Sequence, residues 1–593
     1  MSILLAISIG PVQEFIAAAR RTRDLWFGSW MLSEISRTAA STVQNDGNMI
    51  FPTAQDITQN TVVANIILAE LPLNIVPSDV ANKTREAIEQ KWRTFAKEAR
   101  EVVIKASSGT PILREDLWSS QLNDALEFYA AWTPIYADQY GQARTRVMRL
   151  LAGRKACRNF LPAQGQQGVP KSSLDGRRES VLQEHIPPQV RTNLRLNKGE
   201  QLCAVGLTKR LAGDRRSYPS VSRIAADPWL RKVDQLAQKD DKIREAFERL
   251  KHICSDFNKK NCLYALDPSQ FPQFKHFPYE GTCLFPSRFE DWKKETNLTD
   301  KDLEPLLTIL ADLKSLNLGE PDPYLAILAA DGDHIGRLLS QIKKPDEHRK
   351  FSRTLALFSM DVYKTVEKYN GICIFAGGDD VLAFVPTDQC LPCARNLRDK
   401  FSTLSKVVEN SHSPTLSVGI AIGHCMEPLE DLRRYGLKAE EAAKDPTLEK
   451  QKTSRFAERN GLAIRAYPRS GVDIGVREQW QDNDNSLDIR LKYWADRFRK
   501  RELPRKLPYD LRIIARDLSV WPSPGAPPEA VEAEIDVLLK RKQVRKDLRK
   551  VLEDKLKTCD SAAALLRLAE EMLVSQWISD AQQDLNNNQE GDQ

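Results

Sequence analysis

The chain has 593 residues, and 87 Lys and Arg oppose 81 Asp and Glu for a formal net charge of +6. That length calls for several domains with cores of their own, while 41% hydrophobic and 28% charged side chains exclude collagenous, largely disordered and integral-membrane classes. Ten cysteines without a repeated spacing exclude a disulfide scaffold.

The opening MSILLAISIGPVQEF carries no leader with a cleavage site, and its apolar run Ile3–Ile9 is far too short to cross a bilayer. A cytoplasmic protein without a membrane partner is expected. Ile3–Ile9 reads as a buried strand that Gly10 ends, followed by a helix with Ile16, Ala19, Trp26 and Trp30 near one face. A strand over 62–69 and helices over 78–106 and 112–138 complete an α/β opening domain. Residues 153–223 are polar and basic. This stretch is either a solvated connector or a surface that neutralises RNA phosphates or meets a partner, with Arg177, Arg178, Arg210, Arg215 and Arg216 as candidate contacts. A mostly helical insert follows to 318. Within it, His252, Cys254, Cys262 and Cys283 could complete a tetrahedral zinc site, although the usual short-spaced ligand doublets are absent.

Between 324 and 422 the pattern is strand, helix, strand, Gly-Gly turn, strand, helix, strand, a βαββαβ ferredoxin-like order. Its first strand runs into Asp331-Gly332-Asp333, and the hairpin between its second and third strands carries Gly377-Gly378-Asp379-Asp380. The order makes the first and third strands neighbours, so the two acidic motifs meet. Carboxylates that end apolar strands are costly unless they reach water, a cation or donors. A Mg²⁺ or Mn²⁺ pair supplies a reason, because such ions take a few carboxylates beside substrate phosphates. Asp331, Asp379 and Asp380 are the expected catalytic ligands, with the Gly332 carbonyl as a further one. Asp333 is expected near the nucleotide or as a helix cap. Gly377 and Gly378 remove side chains where a nucleotide approaches. In LKAEEAAKD, Lys438 or Lys444 follows the fourth strand and can neutralise a triphosphate, and Ser417 lies on that strand.

After 485 the pattern is helical, punctuated by prolines, and DLNNNQEGDQ closes the chain as an expected disordered tail. The fold class is α+β. The expected division is 1–150, 151–319, 320–475, 476–583 and a tail at 584–593.

From ISIGPVQEFIAAARRTRDLWFGSWMLS through GEQLCAVGLTKRL, YPSVSRIA, YLAILAADGDHIG, FAGGDDVLAFVP and LSVGIAIG to LAIRAYPRSG, the chain resembles the large subunit of type III CRISPR effector complexes, particularly the Cmr type. GGDD alone also fits diguanylate cyclases. The resemblance implies two ferredoxin-like palm domains, the first degenerate because GPVQ replaces its acidic motif, and a ribonucleoprotein of CRISPR RNA with other effector subunits. It further implies that target RNA activates the second palm to join ATP into cyclic oligoadenylate by two-metal nucleotidyl transfer. Many relatives begin with an HD nuclease; here seven residues precede Ser8-Ile9-Gly10-Pro11 and none of the seven histidines precedes Asp, so no HD nuclease is expected. A non-catalytic scaffold of the same complex and a stand-alone cyclic-dinucleotide synthase are the alternatives.

Overall fold

The computed structural model describes residues 1–59, 62–136, 139–157, 165–213, 217–296, 298–403, 414–444, 459–469, 471–521, 527–542, 544, 549–550, 552 and 562–580. Two β-sheets organise it. In the first, β1 (Ser2–Gly10), β2 (Asn48–Phe51), β3 (Ile66–Leu71) and β4 (Glu127–Ile135) lie in the order β2-β3-β1-β4, all antiparallel. In the second, the order is β10-β9-β8-β5-β7-β6, built from β5 (Tyr324–Asp333), β6 (Ile372–Gly377), β7 (Asp380–Val385), β8 (Thr415–His424), β9 (Gly461–Ala466) and β10 (Ile474–Gln479). Four strands were expected there; β9 extends the sheet by pairing parallel to β8, and β10 pairs antiparallel to β9.

The helix expected over 112–138 is a second correction. Helix occupies Glu115–Asn123, and 127–135 is instead the strand that closes the first sheet against β1. The run EFYAAWTPI is rich in aromatic side chains that suit a half-buried pleated surface, and pairing with β1 overrides its alanines.

Alternation along β5 explains how the second sheet is covered. Ala326, Leu328 and Ala330 join the core beneath helices Pro345–Lys368 and Cys390–Ser402, while Leu325, Ile327 and Ala329 join the core shared with the insert. Both faces are therefore buried, and each fully buried Leu, Ile or Phe contributes about 1.5–3 kcal/mol. The C-terminal helices Leu487–Arg499, Leu507–Ser519 and Ala562–Asp580 share a core of Trp494, Leu511, Leu565 and Met572. Leu573, Val574 and Ile578 dock the last of these onto the second sheet's core. Among the described residues no helix is long and apolar enough to cross a membrane. The expected tail at 584–593 lies outside the described residues.

Candidate active site at the end of the second sheet

Asp331 ends the apolar stretch of β5, on the face that carries Ile327 and Ala329. The helix Leu429–Lys444 crosses that face in unusually close contact with β8. A Cβ at Gly419 would lie 2.1 Å from the backbone nitrogen of Glu440, so only glycine admits this approach. Its last turn is thereby set over the strand end. Lys444 Nζ lies 2.5 Å from Asp331 and 2.6 Å from Glu440.

The second acidic motif arrives through a two-residue hairpin. Gly377 pairs with Asp380, and Gly378 between them has φ = 72°, the positive value a type II′ turn requires at its first central residue. Ser359, buried on helix Pro345–Lys368, fixes the turn: its hydroxyl accepts from Gly378 N at 2.9 Å and lies 3.1 Å from Gly378 O. Gly332 makes room from the other side, since a Cβ there would meet the Cβ of Asp379 at 2.7 Å. The hairpin thus rests against the end of β5 and brings Asp379 and Asp380 to Asp331.

Four carboxylates, those of Asp331, Asp379, Asp380 and Glu440, share the one ammonium of Lys444. Burial and the charge of Asp331 push the Asp379 carboxyl up to about 7. Asp380 lies on the open side of the hairpin, yet local burial, a hydrogen bond with Asp331 and the surrounding negative charge raise its carboxyl strongly. Burial raises Glu440, with Lys444 opposing and Asp331 adding to it. Burial works against the Lys444 ammonium, but hydrogen bonds from Asp331 and Glu440 outweigh it and raise its pKa. Acids held this way gain from a cation that neutralises them. Among the described residues no group of three or more His, Cys, Asp or Glu side chains already forms a metal cage. An oxygen-only set with room for water and substrate ligands suits Mg²⁺ or Mn²⁺ better than zinc.

The remaining expected residues fall elsewhere. Asp333 is only 2% exposed and accepts from Thr415 at 2.8 Å, from Ser417 at 2.9 Å and from the Asn460 backbone at 2.9 Å. With Ser417 it ties β5 and β8 to the start of β9 beneath the carboxylates, and the helix cap at His334 owes nothing to its side chain. Lys438 is exposed six residues before Lys444. Glu440 and Ser359 were missed. The i, i+4 spacing of Glu440 and Lys444 was the available signal for the former; Ser359 had none.

Two expectations are overturned. The four zinc candidates do not converge. Cys254 and Cys283 meet in the core with their sulfurs 3.7 Å apart, whereas Cys262 Sγ lies 3.5 Å from the Lys260 carbonyl. His252 lies with its side chain 77% exposed, near Asp256. Two residues apart on the helix Asp241–Lys259, His252 and Cys254 point about 200° apart. Arg210 is not a surface residue: it is 3% exposed and clamps Asp24 at 2.5 Å and Glu200 at 3.1 Å. Arg177 and Arg178 remain at the surface near Glu14 and Asp124. Arg215 and Arg216 lie outside the described residues.

Two palm-like sheets within a mixed α+β framework, one with a carboxylate cluster at a strand end, define the class of protein. Comparison with known proteins narrows it. Residues 324–454 match the model for the Cas10/Cmr2 second palm domain, and residues 4–97 match that for the N-terminal part of the CRISPR-associated protein Cmr2. The CRISPR system Cmr subunit Cmr2 of Pyrococcus furiosus is 25% identical across 91% of this chain and 68% of its own. Cryo-EM structures of the type III-B Cmr-beta complex, apo and bound to cognate target RNA, share the fold with TM-scores of 0.57 and 0.60 at 14% identity. They cover 92% of this chain and 78% and 79% of theirs. The chain belongs to the Cas10/Cmr2 family of type III CRISPR large subunits.

Proposed function

We infer that this chain is the nucleotidyl-transferring subunit of an RNA-guided type III complex, and that its second sheet makes cyclic oligoadenylate from ATP. The observation that carries this reading is the set of four carboxylates sharing one lysine where β5 meets the β6–β7 hairpin. Asp331, Asp379 and Asp380 would hold Mg²⁺ or Mn²⁺, with the Gly332 carbonyl at the same strand end. When bound, the metal pair supplies charge neutralisation on the phosphates and activation of the attacking hydroxyl. Lys444 can exchange its carboxylate partners for the triphosphate, and Lys438 adds positive charge further along the helix. Gly377 and Gly378 keep the hairpin free of side chains on the nucleotide's path. Asp333 and Ser417 support the nucleotide site from beneath.

Both sheets suit a ferredoxin-like palm: each has four strands in the order fourth, first, third, second. The units we assign are a degenerate palm at 1–150, a linker and helical insert at 151–319, the catalytic palm at 320–475 and a helical domain at 476–583. CRISPR RNA, target RNA and further effector subunits are the proposed partners, with Arg177 and Arg178 on a contact surface, in the cytoplasm. The test is ATP conversion by the reconstituted complex with Mg²⁺ or Mn²⁺, with and without matching target RNA. Target-dependent cyclic adenylates should fall at least about 10³-fold in Asp379→Ala/Asp380→Ala, the equivalent of several kcal/mol of barrier, while assembly persists. Synthesis retained by that variant would sink the reading.

A further inference from the structure

A second cleft, of about 390 Å³, lies between the two sheet domains and away from the carboxylates. Trp26, Phe27 and Trp30, on the helix Thr22–Gln44, form one side; Tyr218 and Phe271 come from the linker and insert, and Gly371–Cys373 from the start of β6. The carboxylate hairpin stands at the other end of β6, roughly 16 Å along the strand.

Three properties of this cleft belong together. Its wall is a run of ring faces: Trp26 stacks on Tyr218 at 5.1 Å and Phe27 on Trp30 at 5.2 Å. Two amides of the lining have polar atoms hidden from water without a partner, Gln270 Nε2 and Gln273 Oε1. Gln273 spends its other amide atom on the Gly371 carbonyl at 3.2 Å, which anchors its free oxygen in place. Leaving a buried donor and a buried acceptor unpaired is costly, so a ligand presenting one of each would recover that cost. Lastly, the exposed Glu367 stands at the edge as an acceptor.

The geometry points to a binding site for a purine nucleobase. Ring faces stack on any base and most on the larger purines. A donor and an acceptor on separate amides match an amino group beside a ring nitrogen, the edge that glutamine reads on adenine. Glu367 at the edge is suited to ribose hydroxyls and would repel a phosphate held close, so the base enters first and phosphate stays in solvent. The volume holds one nucleoside and not a dinucleotide. Because the walls come from both sheet domains, an occupant bridges them. The base belongs either to a free nucleoside or nucleotide or to the end of an RNA strand. This site does not depend on the chemistry assigned to the carboxylates.

The test is equilibrium dialysis of the full-length protein against labelled adenosine, without divalent metal. Saturable binding is expected, weakened at least tenfold in Gln270→Met/Gln273→Met, which keeps side-chain length and removes the amides. Trp30→Ala, at a residue 39% exposed, should weaken binding similarly and serves if the internal pair does not fold. Asp379→Ala/Asp380→Ala should bind adenosine as the parent does. No binding, binding indifferent to these substitutions, or binding lost only with the aspartates would each overturn the assignment. A short RNA ending in adenosine distinguishes the sources: competition assigns the base to a strand, and its failure to a free nucleoside or nucleotide.

Discussion

The two sheets have the same order for their first four strands and treat charge in opposite ways at the end of the central strand. In the first, Gly10 and Pro11 follow β1, and the charged residues nearby are consumed internally. Arg210 holds Asp24 and Glu200, Lys209 Nζ reaches the carbonyls of Phe15 at 2.6 Å and Ala18 at 2.5 Å, and Arg23 bonds the carbonyls of Lys209, Arg210 and Ala212. Every one of these side chains is buried. In the second, Asp331 follows the same strand, and three further carboxylates crowd one lysine. Charge matched inside the protein is architecture; charge left in excess beside open space is a site awaiting a counter-ion. The difference also separates what two basic motifs do: GEQLCAVGLTKRL and ARRTRDLWFG are two halves of one buried junction.

Breaking the first sheet's junction should give the largest effect on stability. Arg210→Ala leaves Asp24 and Glu200 buried without their guanidinium, and removal of one partner of a buried pair costs about 3–5 kcal/mol. Urea unfolding should show that loss in the isolated chain. A variant of unchanged stability with weaker, less salt-dependent RNA binding would instead return Arg210 to an RNA surface.

The second sheet can be disturbed without touching its acids. Gly419→Ala sets a Cβ against the backbone of Glu440 and Ala439, and such overpacking costs up to about 3 kcal/mol. The helix must move off β8, carrying Lys444 from Asp331. Melting temperature and ATP turnover should therefore fall together. Turnover unchanged in the face of a lower melting temperature would mean that the Lys444 contact has no part in catalysis.

The junction between the sheets carries a pH signature. Tyr140 beside β4 meets His348 of helix Pro345–Lys368 at 2.6 Å, oxygen to Nδ1. Burial, with Arg144 and Arg349 nearby, lowers the His348 pKa to about 3. A histidine with a depressed folded pKa favours folding above its unfolded value near 6.5, where it is neutral in both states, and loses that advantage as pH falls toward 3. Between pH 7 and pH 5 the loss from this group is about 2 kcal/mol. His348→Gln should remove that slope from the unfolding free energy; an unaltered slope would place the acid sensitivity elsewhere.

Much of the second sheet was legible because apolar runs broken by DGD and GGDD leave few alternatives: the order of its first four strands, the hairpin and the meeting of Asp331 with Asp379 all follow from pattern. Long-range packing was not. β4 read as helix because its alanines favour helix in isolation, and only β1 supplies the partner that makes EFYAAWTPI a strand. Lys209 and Arg210 read as surface because a sequence counts charges and does not pair them across 186 positions. The zinc expectation failed on rotation about one helix, which spacing alone states only if the helix is drawn.

Ser359 offers the smallest effect and the finest test of the contrast, because it separates the stability of the hairpin from its placement. Its hydroxyl accepts the Gly378 amide hydrogen and lies near the Gly378 and Leu355 carbonyls, so the turn that presents Asp379 is held from helix Pro345–Lys368. Ser359→Ala removes these bonds from a buried position at about 1 kcal/mol. If Ser359 only stabilises, the melting temperature falls slightly and activity at working temperature is unchanged. If it positions Asp379 against Asp331, the hairpin gains freedom and the acids are less well arrayed for a cation. The Mg²⁺ or Mn²⁺ concentration for half-maximal ATP turnover then rises several-fold, while turnover at saturating metal recovers most of the parent value. The positioning role predicts the second result, and an unshifted metal dependence would reduce Ser359 to packing.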